Sequence, residues 1–137
     1  MINEKSVNLV IRDVSMSQLV LDEVLDIPTI KQYIDVIGPQ TFLQSVTVFE
    51  EIVPQYLEAL NQFLNDSDAL SLCQQAHQLK GAAGSIGLKR LQLLAHDLQQ
   101  NEHPEWTQLH AQWVQRLIKW GTHDILILKA YIREYHA

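Results

Sequence analysis

Cysteine, glycine and proline are all scarce in this chain, and each shortage narrows what it can be. One cysteine, Cys73, in 137 residues excludes an intramolecular disulfide and fits a reducing compartment. With no paired cysteines and no H-E-x-x-H, a built metal site is not expected. Five glycines and four prolines leave no low-complexity linker, no internal repeat is present, and a second domain is not expected. Long apolar runs are missing too: Met1-Ile2-Asn3-Glu4-Lys5 is followed by no extended apolar stretch, so neither a signal peptide nor a membrane anchor is indicated and a cytoplasmic location is expected. Basic residues number 10 against 16 acidic ones, a net charge of −6, without the broad basic stripe that direct nucleic-acid binding needs. A P-loop, a dinucleotide fingerprint, a G-x-S-x-G elbow and a kinase ATP-binding motif are all absent, which excludes an ATP-dependent kinase as a description of this chain.

What is present is helical periodicity. The length suits one domain with a modest core, and 47% hydrophobic with 19% charged residues is ordinary for a globular protein. Ile30, Tyr33, Ile34 and Ile37 form a short helical stripe that Pro28 opens and Gly38-Pro39 closes. Phe42, Val46, Phe49, Val53, Tyr56, Leu57, Leu60 and Leu64 continue at spacings of three and four, with Pro54 as a kink site and Ser67 as the cap of the next helix. A third helix carries His77, and a fourth runs from about Leu88 to Gln100. From Glu105, the residues Leu109, Trp113, Leu117, Trp120, Ile125, Leu128 and Ile132 predict a long C-terminal helix, with its tryptophans as core anchors and Gly121 as a bend. Short connections between consecutive helices favour antiparallel packing. Residues 1–25 read as an N-terminal extension and 26–137 as the helical domain. Within the extension, Asn8 to Val14 has β-like composition, and helix is expected from Ser17 to Asp26.

The third helix holds the informative stretch. Ala69, Leu72, Cys73, Ala76, Leu79 and Ala83 repeat at helical spacing, so Gly81 and Gly84 interrupt a real helix, where each costs roughly 1 kcal/mol relative to alanine. At about 100° per residue, His77, Lys80, Gly81 and Gly84 share one arc of about 100°. The helix is bare around one histidine. No Asp or Glu occurs from Ala69 through His96, while Lys80, Lys89 and Arg90 fall within that window, so an anion meets no opposing charge. Two readings fit. Small residues let a neighbouring helix approach closely, with His77 on a solvated flank; or bulk is removed so that a phosphoryl group carried by another macromolecule can reach the imidazole, with Lys80 supplying positive charge.

The run His77-Gln78-Leu79-Lys80-Gly81-Ala82-Ala83-Gly84 resembles the signature of histidine-containing phosphotransfer (HPt) domains, H-x-[LI]-K-G with a further Gly three residues on. The likeness extends from Leu25-Asp26-Ile27-Pro28 through Val36-Ile37-Gly38-Pro39 and Val48-Phe49-Glu50 to His123-Asp124 and Leu128-Lys129-Ala130, roughly four fifths of the chain. It is strongest to the C-terminal HPt domains of Arc-type anoxic redox sensor kinases. The resemblance implies an antiparallel four-helix bundle with a short additional N-terminal helix. It implies that His77 accepts a phosphoryl group on Nε2 from a receiver-domain aspartyl phosphate and passes it to a response-regulator aspartate. Lys80 would offset phosphate charge, and Gln99, at the position of the family's glutamine, would orient the imidazole. Gly81 and Gly84 would give close approach, with Lys89 and Arg90 at a docking rim. Gln99 also lies at the edge of the apolar face traced by Leu88, Leu91, Ala95 and Leu98, within reach of the preceding helix.

The implied partners are the receiver domain of a hybrid sensor kinase and an ArcA-like response regulator, with neither nucleic acid nor membrane as a direct partner. No cofactor is expected on this chain, and a divalent metal is expected in the receiver. Ile30 and Ile34 are candidate apolar docking residues, with core packing the commoner fate of such side chains. Imidazole chemistry supports the relay on its own terms, since the ring is a nucleophile near neutral pH and its phosphoramidate can be passed on. An adaptor that sequesters a receiver or kinase without carrying phosphate is the alternative. A metal-binding bundle built on Cys73 and His77, at i and i+4, ranks behind both. The opening Met1 and the lack of an attached receiver or kinase segment are expected of a separate protein, and a fragment of a larger sensor would look the same.

Overall fold

The computed structural model describes residues 21–135. Residues 21–24 are helical, and five further helices follow: α1 (Ile27–Ile37), α2 (Pro39–Asn65), α3 (Ala69–Ser85), α4 (Lys89–Leu98) and α5 (Trp106–Tyr135). Among the described residues there is no strand. Helices α2 to α5 form an antiparallel bundle whose register is fixed by side-chain contacts. Glu50 pairs with Lys129 (3.1 Å) and Leu57 lies against Gly121, so α2 and α5 run in opposite directions. His77 meets Gln99 while Gly84 meets Gln92, which sets α3 against α4 in the same way.

Local chemistry accounts for the boundaries. Asp26 caps α1, accepting from the Thr29 amide (3.3 Å) and hydroxyl (2.7 Å), a device worth about 1 kcal/mol. Helix α2 is unbroken through Pro54, which is exposed. The cap of α3 is Asp68, whose carboxylate accepts from the Ser71 amide (3.2 Å), and not Ser67 as the spacing predicts. Ser67 instead takes a left-handed conformation (φ 55°) just past α2, where the Asp68 amide reaches back to the Phe63 carbonyl and the Ser67 amide to that of Leu64. This is a Schellman ending. The same ending recurs after α3, with Gly87 (φ 81°) in the left-handed position and amides of Leu88 and Gly87 bonded to carbonyls of Ala83 and Gly84.

The core runs the length of the bundle and corrects one expectation. Ile30 and Ile34 are buried, because α1 lies across the end of the bundle where Tyr33 stacks on Phe42 (5.3 Å between centroids); they are packing residues, not docking residues. Leu21, Val24 and Leu25 also join the core, so the described end of the extension packs on the bundle. The expectations for residues 8–14 and 17–20 lie outside the described residues. Trp106 is buried, and Trp113 and Trp120 pack against the core, as anchors should. Gly121 sits within an uninterrupted α5 with the Leu57 side chain over it.

Candidate functional site

His77 stands exposed near the middle of α3. Its Nδ1–H donates to Oε1 of Gln99 (2.9 Å), the C-cap residue just past α4. An amide oxygen can only accept, so this bond keeps the ring proton on Nδ1 and leaves the Nε2 lone pair free. Cys73, Gln74 and Gln78 complete an open cleft around His77 and Gln99. Lys80 is half-buried one turn on and holds no ion pair among the described residues.

The two glycines divide the two sequence readings between them. A Cβ at Gly81 would meet nothing within 4 Å, so beside the imidazole the surface is open to an incoming group. A Cβ at Gly84 would lie 2.7 Å from Nε2 and 2.8 Å from Cδ of Gln92. At Gly84 it is the chain's own α4 that makes the close approach.

The two expected rim cations also differ. Lys89 is exposed, with its ammonium donating to the Asp22 carbonyl (3.1 Å). Arg90 is engaged within the fold, with its side chain only partly exposed. Its guanidinium donates through both Nε (3.0 Å) and a terminal nitrogen to the carboxylate of Asp124 and lies over the Trp120 ring (3.9 Å). Asp124 is 0% exposed and also accepts from His123 Nδ1–H (3.1 Å), so a bidentate, multiply bonded pair ties α4 to α5. Cys73 is partly buried; its thiol donates to the Leu98 carbonyl (3.6 Å), and burial pushes its pKa above the ordinary thiol range. Among the described residues no group of three or more His, Cys, Asp or Glu side chains is placed to hold a metal.

Residues 44–122 match the Hpt domain family, more than half of the chain. The chain belongs to the Hpt family of histidine-containing phosphotransfer domains. It is 33% identical over 111 residues to the aerobic respiration control sensor protein ArcB of Escherichia coli, and equally to that of Shigella flexneri. The match takes in 81% of this chain and spans only 14% of the length of those relatives. The solved HPt domain of Escherichia coli ArcB superposes with a TM-score of 0.83 at 32% identity, covering 85% of this chain and 98% of that one. A solution structure of the same domain gives 0.81 at 30% identity, covering 90% and 99%. Phosphotransfer in two-component phosphorelays, with receiver domains as partners, is the role of this family. No described helix of this HPt domain is long and apolar enough to cross a membrane.

Sequence reasoning missed Gln92, Asp124 and Trp106 as parts of the arrangement. Gln92 was readable only as lying on a similar side of α4 to Gln99, seven residues and about 20° of rotation away. A lone Asp in the apolar run from Gly121 to Ile132 was the signal for a buried carboxylate in need of a partner.

Proposed function

We propose that His77 is the phosphoryl acceptor and donor of an Arc-type relay. The observation that carries this is the bond from His77 Nδ1–H to Gln99 on an exposed side chain, which leaves Nε2 unprotonated and accessible. In the forward step the Nε2 lone pair attacks phosphorus of a receiver's aspartyl phosphate; the N–P bond forms, the P–O bond to aspartate breaks, and the carboxylate leaves with its electron pair. The reverse exchange with a response-regulator aspartate discharges the domain. Nε2 carries no proton at the start, so none is displaced.

The half-buried Lys80 offsets the charge of the bound phosphoryl group, and the open space over Gly81 admits the receiver's phosphoaspartate. Lys89 and the exposed Leu93, both on α4, contribute to the receiver-facing surface, with Arg90 committed to the fold. The donor is the receiver of a hybrid sensor, the acceptor an ArcA-like regulator, and the divalent metal comes with the receiver. The similarity to the ArcB HPt domain over most of this chain supports that pathway, and kinase-fed relays of this sort place the domain in the cytoplasm.

The test is transfer of radiolabelled phosphate from a phosphorylated receiver of an Arc-type sensor. Acid-labile, alkali-stable label on wild type and none on His77→Gln is expected. Lys80→Ala should be slowed, by about ten- to a hundredfold if its charge stabilises the transition state, without being abolished. A docked wild-type protein that takes no label from any cognate receiver would replace the relay with the adaptor.

A further inference from the structure

We propose that Trp106 is a positioning residue for phosphotransfer: by holding the carbonyl of Leu98, it aims Gln99 at Nδ1 of His77. The proposal rests on the reading of His77 as the phosphoryl acceptor. It starts from a general property of helices, that the carbonyls of the last turn have no amide ahead of them to accept from. Leu98 is the last residue of α4, and its buried carbonyl needs a donor from elsewhere.

The donor comes from the next helix. Trp106, the first residue of α5, places its indole Nε1–H 2.8 Å from that oxygen, and the Cys73 thiol approaches from α3 at 3.6 Å. The carbonyl of Leu98 and the amide nitrogen of Gln99 belong to one planar peptide unit. Fixing the oxygen therefore fixes the plane from which the Gln99 side chain departs. Beyond Gln99 the chain leaves the helix for the turn of residues 100–105, so the orienting amide sits where the helical ladder ends.

The indole is itself held. Trp106 is 7% exposed, His110 stacks on it in parallel (4.0 Å between centroids, 4°), and His110 Nδ1–H donates to the Trp106 carbonyl (2.8 Å). A short chain of contacts thus leads from the core to the exposed imidazole: His110, Trp106, the Leu98 carbonyl, Gln99, His77. Hydrogen bonds weaken steeply as their geometry degrades, so loosening the Leu98 peptide reaches the His77–Gln99 bond directly. The proton on His77 then distributes over both nitrogens, and the Nε2–H form cannot attack phosphorus.

The experiment compares wild type, Trp106→Phe, Gln99→Ala and the double variant. Two readouts are used: the His77 tautomer ratio by 15N NMR above the imidazole titration, and transfer from the phosphorylated receiver. Trp106→Phe keeps an aromatic ring and loses the N–H donor. The expected result is a larger Nε2–H fraction and transfer slowed by about three- to tenfold, the worth of one hydrogen bond, with no further loss when Gln99 is already alanine.

Leu72→Ala, a core deletion lining the same cavity as Trp106, lowers stability and leaves the tautomer alone. Should Trp106→Phe fail to fold, a benzothienylalanine at position 106, which replaces N–H by sulfur in the same shape, carries the measurement. A wild-type tautomer ratio and rate in the donor-less protein, equal losses with and without Gln99, or an equal tautomer shift in Leu72→Ala would each overturn the proposal. If wild type takes up no phosphate, the acceptor reading fails, whereas the tautomer ratio, measured without phosphate, still decides what Trp106 does.

Discussion

The α3–α4 hairpin has two ends that differ in almost every respect. At one end His77 is exposed, Gly81 faces open space, and only neutral hydrogen bonds, His77 to Gln99 at 2.9 Å and the Cys73 thiol to the Leu98 carbonyl at 3.6 Å, join the helices. At the other, Gln92 lies on Gly84, Ile30 would touch a Cβ at Gly87, and a buried carboxylate binds Arg90. Both ends are built from glycines and polar side chains. The difference teaches that the packed end supplies the stability that lets the open end leave a nucleophile and its surroundings uncovered.

The comparison breaks most visibly at Asp124. Arg90→Ala strands the buried Asp124 carboxylate without its guanidinium and should cost about 3–5 kcal/mol, as leaving one member of a buried pair uncompensated does, read as a fall in the urea midpoint. A loss below about 1 kcal/mol, the range of exposed pairs, would show that the packed end is not held there.

Next is Gly87→Ala. It places a Cβ 2.6 Å from Ile30 Cγ1 at φ 81°, so the left-handed penalty of about 1–2 kcal/mol is joined by overpacking of about 1–3 kcal/mol. Chemical denaturation measures the sum.

The two helical glycines sharpen the contrast at smaller magnitude. Gly81→Ala should stabilise the fold by about 0.5–1 kcal/mol while slowing transfer from a receiver, because the new methyl occupies the open surface. Phosphorylation by a small donor such as phosphoramidate should be unchanged. Gly84→Ala should come out nearly neutral in stability, its helical gain offset by displacement of the flexible Gln92 amide. Equal behaviour of the two variants in both assays would dissolve the distinction.

The smallest effect lies at the remote turn. Ser67 occupies the same left-handed position as Gly87 but is exposed, so Ser67→Gly should stabilise by up to about 1 kcal/mol in a thermal melt and leave transfer untouched.

Much of this was legible without coordinates. The helical spacing through Gly81 and Gly84 was strong enough to keep α3 intact, and Pro28 with Gly38-Pro39 bracketed α1, because these signals depend on neighbours in sequence. Ser67 was mistaken for a cap because serine and aspartate both cap helices, and the choice between adjacent positions turned on which backbone took the left-handed conformation. Arg90 could be placed on α4 but not aimed, since its partner lies 34 residues away. Ile30 and Ile34 showed an apolar stripe without showing what covered it.

The sequence by itself determined that the chain is helical, that α3 exposes a histidine flanked by a lysine and a glycine, and that Gln99 falls at the edge of the apolar face of α4, since each follows from local spacing and a fixed rotation per residue. Tertiary structure alone decided that Gly84 serves the chain's own packing while Gly81 stays open, that Arg90 pairs with the buried Asp124 while Lys89 stays exposed, and that an indole from α5 holds the carbonyl behind Gln99. Those outcomes depend on which helix lies across from which, and long-range packing, not helical periodicity, sets that.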